Sequence, residues 1–271
     1  MIYDVAIVGG GLVGSTLACA LASRGQNVVV VEVREPDPEP DDTLDPRVSA
    51  ITRASERILR ALGVWSQIPE EQIAAFREMF VWDLPGRGEI RFDSAEIAEP
   101  ALGYIVENHR LQHALWQRLT EHESVSVHRP ANLAELWINR SGVILTLGDT
   151  KVEARLVVGA DGARSRVREL AGIETESGDY GQRAVVSIVF CEQGHRDTAW
   201  QRFLATGPLA VLPLSAGYAC IVWSTEPGHA ESLIAMSDEG FDEALNTVLD
   251  ARLGRLTSVG RRVSFPLRWL Q

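Results

Sequence analysis

Cysteine is scarce in this chain: Cys19, Cys191 and Cys220 are the three in 271 residues. They stand far apart and form no pair with metal-ligand spacing, so neither a disulfide framework nor a metal site is expected. Each sits among apolar neighbours, the setting of a buried, reduced thiol. No apolar run approaches the roughly 18 residues of a membrane-spanning helix. The start, "MIYDVAIVGGG", lacks the charged opening of a signal peptide, and glycines interrupt its apolar stretch. A cytoplasmic address is the default expectation. Basic residues are outnumbered, with 26 Lys and Arg against 37 Asp and Glu and a net charge of −11. That balance excludes a phosphate backbone as partner, so no nucleic acid is expected. It also excludes a polybasic hold on anionic lipid. Internal repeats and low-complexity tracts are missing too.

What is present reads as globular. Apolar residues make up 45% and charged residues 23%, a mix that packs a core. The length suits one large domain or two modest ones.

Residues 3–8, "YDVAIV", form a short apolar β-run that ends in Gly9-Gly10-Gly11. Gly14 completes G-x-G-x-x-G at Gly9, Gly11 and Gly14. A helical pattern follows in "LVGSTLACALASR", with Leu17 and Leu21 four apart and Gly25 as its stop. "NVVVVE" then supplies a second buried strand ending in Glu32, 18 residues after Gly14. Each part has a role in dinucleotide binding. Gly9 permits the tight turn, Gly11 lets a pyrophosphate approach the backbone, and Gly14 lets helix and strand pack closely. The helix N-terminus offers free N–H groups to the phosphates. A carboxylate at Glu32 can accept hydrogen bonds from the adenosine ribose. These features do not separate FAD from NAD.

A second stretch, "LVVGADGARSRVRELAGI" at 156–173, runs an apolar strand into Asp161-Gly162 and then releases three arginines. As a structural feature it is a strand, a sharp turn and a short helix capped by Ser165, with Arg164, Arg166 and Arg168 solvated. As a functional feature it needs a second site in the chain.

After Glu32, "REPDPEPDDTLDP" carries six acids and four prolines and is expected to be a solvated loop. Arg47, just beyond it, is either a loop charge or an arginine aimed at an anion. "RVSAIT" and a helix, "RASERILRALGVW", come next, the helix closed by Gly63. A further helix follows Asn108, with Leu111, Leu115 and Leu119 on one stripe. Residues 124–158 pattern as strands separated by the "NRSG" and "LGDT" turns, a β-meander on a Rossmann core. From about 179 the texture changes to the β-runs "AVVSIVF", "LAVLPL" and "YACIVWS", with a helix expected over Phe241–Leu253. "VWD" and "EIRFD", within 81–93, share that texture. A second, mostly antiparallel sheet assembled from two separated segments is therefore expected.

Taken together, "GGGLVG" with Glu32, "DPRVSAIT", "LGVW", "IVENHRLQHALW", "GADGARSRVR", "DYGQRAVV", "LPL", "IVWS" and "FPL" resemble the flavoprotein aromatic monooxygenases, specifically the ubiquinone-biosynthesis hydroxylases. The resemblance runs from Ile2 to Leu267. It implies an α/β fold, a Rossmann-type FAD-binding domain with an inserted, mostly antiparallel β-sheet substrate domain. The expected division is 1–75 with 101–178 for FAD and 76–100 with 179–271 for the substrate sheet. It implies FAD as cofactor, NAD(P)H as co-substrate and hydroxylation of the aromatic ring of a polyprenylphenol with O2. Among site residues it adds Asp161 and Gly162 at the flavin cleft, Arg47 and Ser49 along the flavin, and Arg110 approaching FAD from its helix. "ENHRL" is shifted by one against the family's usual arginine. No side chain stands out as a catalytic base, and His109 and His113 are expected to be structural or exposed. Trp82, Trp200 and Trp223 fall on β-runs of the second sheet, as core residues or as the lining of an apolar channel. Peripheral association at the inner membrane or with a biosynthetic assembly is also implied.

Members of this family carry a further Gly-Asp pair with a nearby His soon after "FPL". These 271 residues hold no counterpart, since "LGDT" and "SGDY" are expected in turns of the wrong context. The expectation is a longer hydroxylase seen without its C-terminal FAD motif and helices. The alternative is a truncated, non-catalytic flavoprotein that serves as an interaction partner. A core left uncovered in this way is expected to drive homo-oligomerisation. An NAD-binding dehydrogenase is disfavoured, because "GADGARSRVR" has no role in one.

Overall fold

The computed structural model describes residues 1–35, 40–41, 43–83, 88–250 and 252–271. Strand β1 (Ile2–Val8) runs into the glycine turn, helix α1 (Leu12–Ala22) follows, and β2 (Val28–Val31) returns parallel to β1. All four valines of β2 are buried, as expected of a parallel strand covered on both faces. Parts of the acidic loop, residues 36–39 and 42, lie outside the described residues. Beyond it come β3 (Val48–Thr52) and α2 (Arg53–Ala61), where Thr52 caps the helix by accepting from the Ser55 N–H. Gly63 closes the turn after α2 with a φ of 75°, which glycine adopts without steric cost.

Three short strands follow, β4 (Ala74–Phe76), β5 (Glu78–Asp83) and β6 (Glu89–Asp93), then β7 (Gly103–Glu107) and α3 (Asn108–Thr120). β8 (Val125–His128) joins β2, while β9 (Glu135–Asn139), β10 (Gly142–Leu147) and β11 (Thr150–Gly159) form the expected meander. The resulting six-stranded sheet has the order β8-β2-β1-β11-β10-β9. Ile7, Val28 and Val30 on one face pack under α1 and α3 through Ala18, Leu115 and Leu119. Ala6, Val29 and Val31 on the other pack against Leu145 and Val152 of the meander.

Helix α4 (Arg166–Leu170) leads to the second sheet, built from β12 (Ser177–Cys191), β13 (Thr198–Leu204), β14 (Gly207–Pro213), β15 (Tyr218–Thr225) and β16 (Leu256–Leu270). Its order is β16-β12-β15-β14-β13-β5-β6, with β5 parallel to β13 and every other pairing antiparallel. Residues 81–83 and 89–93 therefore pair in this sheet, not in the six-stranded one. One face is covered by α5 (Pro227–Ala235) and α6 (Asp238–Val248), with Trp223, Leu209, Leu233 and Phe241 at its centre. The opposite face packs through Val186, Ile188 and Cys220 on Phe76 and Ile105 of a small β3-β7-β4 sheet.

Three expectations are corrected here. "SGDY" at 177–180 is strand, not turn: Ser177 and Gly178 pair with Leu270 and Trp269, and the irregularity falls between Asp179 and Arg183. The last helix starts at Asp238, because the Ser237 hydroxyl accepts from the Gly240 N–H. It ends at Val248, and Asp250 is left-handed at a φ of 52°; residue 251 within the expected span lies outside the described residues. Helix α5 has no counterpart in the sequence expectations. Pro227 opens this helix, where its missing N–H costs nothing.

Candidate functional site: a glycine-lined cleft with an adjoining cavity

The glycine turn is shaped by its neighbours. Gly9 has a φ of 107°, and a Cβ there would lie 2.3 Å from the Ala160 carbonyl oxygen. A Cβ on Gly14 would stand 1.9 Å from the Gly9 carbonyl oxygen, so α1 meets the turn with no room for a side chain. Gly11 differs: nothing lies within 4 Å of the position its Cβ would take. The turn is thus tight behind Gly9 and Gly14 and open in front of Gly11. Helix α1 begins at that opening with no side-chain cap and no acidic residue in its first turn. Its orphan N–H groups and positive dipole end are free to receive an anion there.

A cleft of about 750 Å³ lies in front of the turn. Glu32 stands in its wall, one carboxylate oxygen accepting from the Gly10 N–H at 2.6 Å and the other from the Arg34 N–H at 2.9 Å. On the far side Asp161 and Gly162 line it, brought there by the β1–β11 pairing and by the Ala160 N–H donating to Val8. The Asp161 carboxylate is occupied. It accepts from the Ser165 hydroxyl at 2.5 Å and from the N–H groups of Arg166 and Val167 at 2.6 and 3.1 Å. The acid-glycine pair thus caps α4 and aims the Gly162 backbone, at a φ of 78°, into the cleft. Of the arginines, Arg164 and Arg166 line the cleft, whereas Arg168 turns back to the Ala163 carbonyl at 2.7 Å.

The remaining expected site residues lie elsewhere. Gly14 sits beneath the cleft. Arg47 pairs with Asp45 at 2.9 Å and lines a second cavity of about 500 Å³. The Ser49 hydroxyl donates to the Asn108 side-chain oxygen at 2.6 Å and lines neither space. Arg110 lines neither as well. Its buried guanidinium donates to Glu107 at 2.5 Å and to the Asp41 carbonyl at 3.0 Å, because a buried cation takes the nearest buried carboxylate.

Four residues of α3 belong to the cleft: His109, Gln112, His113 and Trp116. Gln112 donates to the Gly10 carbonyl at 2.8 Å and so ties the helix to the turn. His109 and His113 are half-buried rather than exposed, and each has one buried ring nitrogen without a hydrogen-bond partner among the described residues. Burial pushes His109 below the ordinary histidine value. The spacing 109, 112, 113, 116 is a helical stripe next to Leu111, Leu115 and Leu119, which is the one signal in the sequence for this group. His109 also lines the second cavity, and through it the two spaces share a wall. Trp82, Trp200 and Trp223 are core residues under α5 and α6 and line neither space.

The residues fit a dinucleotide on three counts: the open face of Gly11, the uncapped start of α1, and a carboxylate at the end of β2. Such a sheet, turn and cleft define an α/β dinucleotide-binding protein carrying a second β-sheet. The FAD binding domain family matches residues 2–261. The chain is 38% identical over 266 residues to 3-demethoxyubiquinol 3-hydroxylase of Escherichia coli (strain K12), covering 97% of this chain and 68% of that protein. It is 39% identical over 267 residues to the ubiquinone hydroxylase UbiL of Rhodospirillum rubrum, covering 98% of this chain and 62% of that one. The chain belongs to the FAD binding domain family, among the ubiquinone-biosynthesis hydroxylases. Among solved structures, PqsL, a probable FAD-dependent monooxygenase from Pseudomonas aeruginosa, shares the fold at a TM-score of 0.77 and 19% identity, over 96% of this chain and 73% of that one. No helix among the described residues is long and apolar enough to cross a membrane.

Proposed function

We propose that this protein acts in an FAD-dependent monooxygenase that hydroxylates the aromatic ring of a polyprenylphenol in ubiquinone biosynthesis. The balanced reaction takes the phenol, O2, NAD(P)H and a proton to the hydroxylated ring, NAD(P)+ and water. The observation that carries this reading is the glycine-lined cleft joined through His109 to a second cavity. FAD, when bound, supplies the redox chemistry, taking reducing equivalents from NAD(P)H and activating O2.

The protein's own part is binding and orientation. The Gly11 backbone and the α1 N-terminus would hold the pyrophosphate, and Glu32 the adenosine ribose. Gly162, aimed by the Asp161 cap, would contribute backbone on the opposite wall. Arg47 and Ser49 belong to the same proposed site, while Arg110 contributes through the chain it holds. The second cavity has apolar walls at Leu44, Pro46, Ile188 and Val259 beside polar ones at Asp41, Thr43, Asp45 and Arg261, a mixed lining that suits the ring and hydroxyl of a phenol. Self-association and a peripheral hold on the membrane or on a biosynthetic assembly complete the proposal. Exposed Phe265, Trp269 and Leu270 on β16 support it, and sedimentation velocity with and without vesicles tests it.

One glycine separates binding from folding. Gly11→Ala has room for its methyl group and should fold normally, yet it places that methyl where a phosphate must approach. FAD affinity should fall by about 10-fold or more, the loss of one or two hydrogen bonds to a charged group. Titration of FAD by fluorescence, together with oxygen gain in a prenylphenol by mass spectrometry, reads both halves of the proposal. Undiminished FAD binding in Gly11→Ala would remove the cleft from it.

A further inference from the structure

A strap of chain walls the second cavity, and the strap is held from below. Residues 43–49 cross the start of α3, where Glu107 and Arg110 are both buried and paired at 2.5 Å. The second Glu107 oxygen accepts from the Asp45 N–H at 2.6 Å, and Arg110 reaches past the pair to the Asp41 carbonyl at 3.0 Å. The Asn108 N–H donates to the Arg47 carbonyl at 2.9 Å, Ser49 donates to the Asn108 side chain, and the Cys220 thiol donates to the Pro46 carbonyl at 3.4 Å. Asp45, Arg47 and Ser49 of the strap are thus each bonded to Glu107 or Asn108 at the start of α3. Leu44, Pro46 and Arg47 of the strap line the second cavity, and His109 beside the pair lines both.

We infer that Glu107 and Arg110 are positioning residues: their buried pair anchors the strap and so sets the shape of the second cavity beside the dinucleotide cleft. A buried ion pair adds little net stability over an apolar pair, but it fixes geometry, because a charge left without its partner is strongly unfavourable. Here the pair has spare valence on both sides, a carboxylate oxygen for Asp45 and guanidinium N–H groups for Asp41. The first is spent on the strap and the second on Asp41 just ahead of it. The role given to the cavity rests on the function proposed above, while the anchoring itself does not.

Two variants test the inference. Arg110→Lys keeps the charge beside Glu107 but lacks the planar fork that spans Glu107 and Asp41 together. Glu107→Gln removes the charge and leaves Arg110 buried and unpaired. Limited trypsin digestion of the protein without added FAD, followed by mass spectrometry, reads cleavage after Arg47 against cleavage after the other arginines. In Arg110→Lys the melting temperature should hold while cleavage after Arg47 rises by about 10-fold, the signature of local rather than global opening. Unchanged cleavage after Arg47 would overturn the inference, and so would acceleration at all arginines together. In turnover with a prenylphenol, Arg110→Lys should raise the substrate KM several-fold and leave FAD affinity within about 2-fold, as expected when binding geometry alone is lost. A KM unchanged from the parent would deny the strap its cavity-shaping part. If the parent, extended through the family's C-terminal Gly-Asp motif, neither binds FAD nor turns over, the functional reading fails, and the trypsin result still decides whether the pair anchors the strap.

Discussion

Single side chains in and around the cleft act through burial and through what they leave room for. Gly14→Ala would drive a methyl group to within 1.9 Å of the Gly9 carbonyl oxygen, and backbone cannot yield cheaply. We expect a loss of about 1–3 kcal/mol from overpacking, read as a lower melting temperature, in contrast with the unharmed fold of Gly11→Ala. Glu32→Ala should weaken FAD binding by about 1.5–3 kcal/mol, the worth of hydrogen bonds to a charged group. Unchanged affinity there would take Glu32 out of the proposed site. His109 gives a pH signature. Burial lowers it from 6.5; Glu107 and Asp45 oppose that shift, and Arg110 and Arg47 reinforce it. His122 is lowered as well, by burial and then by Arg118. A depressed histidine folds neutral, so the unfolded chain binds the extra proton, and stability falls as pH drops below about 6.5 toward the folded value. His109→Gln should flatten the decline in melting temperature between about pH 7 and 5.5. Equal acid sensitivity in the variant would contradict this. None of the three cysteines is reactive: burial raises Cys19 and Cys191 to about 11 and Cys220 to about 12, which keeps them as protonated thiols at neutral pH.

At the scale of elements, the clearest case is the turn into α4. The sequence shows a strand, Asp161-Gly162 and a Ser165 cap, and all three stand as expected. It does not show that the Asp161 carboxylate itself closes the helix start with three hydrogen bonds. Asp161→Ala should cost about 1–2 kcal/mol as a lost cap, and Asp161→Asn less, since one acceptor oxygen remains. Thermal denaturation checks both, and an unaffected Asp161→Ala would mean that the cap is redundant. Helix α3 teaches the opposite lesson. Its leucine stripe is legible from spacing, and so is the stripe through His109, Gln112, His113 and Trp116. Spacing alone does not say which stripe meets a cleft and which meets a core. Glu107 and Arg110 are likewise three apart, the spacing of any surface ion pair, and burial alone distinguishes this one.

For the whole molecule, the distribution of cores leads us to propose the division into 1–75 with 101–178 and 76–100 with 179–271. β5 is bound to the distant β13 and carries β6 at its outer edge, and Leu209 lies fully buried in the core beneath α5 and α6. Leu209→Ala should cost about 2–5 kcal/mol. Hydrogen exchange should rise in β5, β6 and β12–β16 before it rises in β1, β2 and β11. Equal loosening of the parallel sheet would argue for one undivided unit.

The order strand, glycine turn, helix, strand and Glu32 was determined by the sequence alone, because each signal is local: a buried β-run, glycines where no Cβ fits, and a helical period. The acid-glycine turn and the meander were determined in the same way. Only the tertiary structure decided that Ala160 and Asp161 lie against Gly9, that residues 78–83 and 89–93 join the second sheet, and that Arg110 turns away from the cleft to Glu107 and Asp41. Those outcomes depend on strand register and on which charges become buried together. Both are set by packing between residues distant in the chain, for which no local pattern exists.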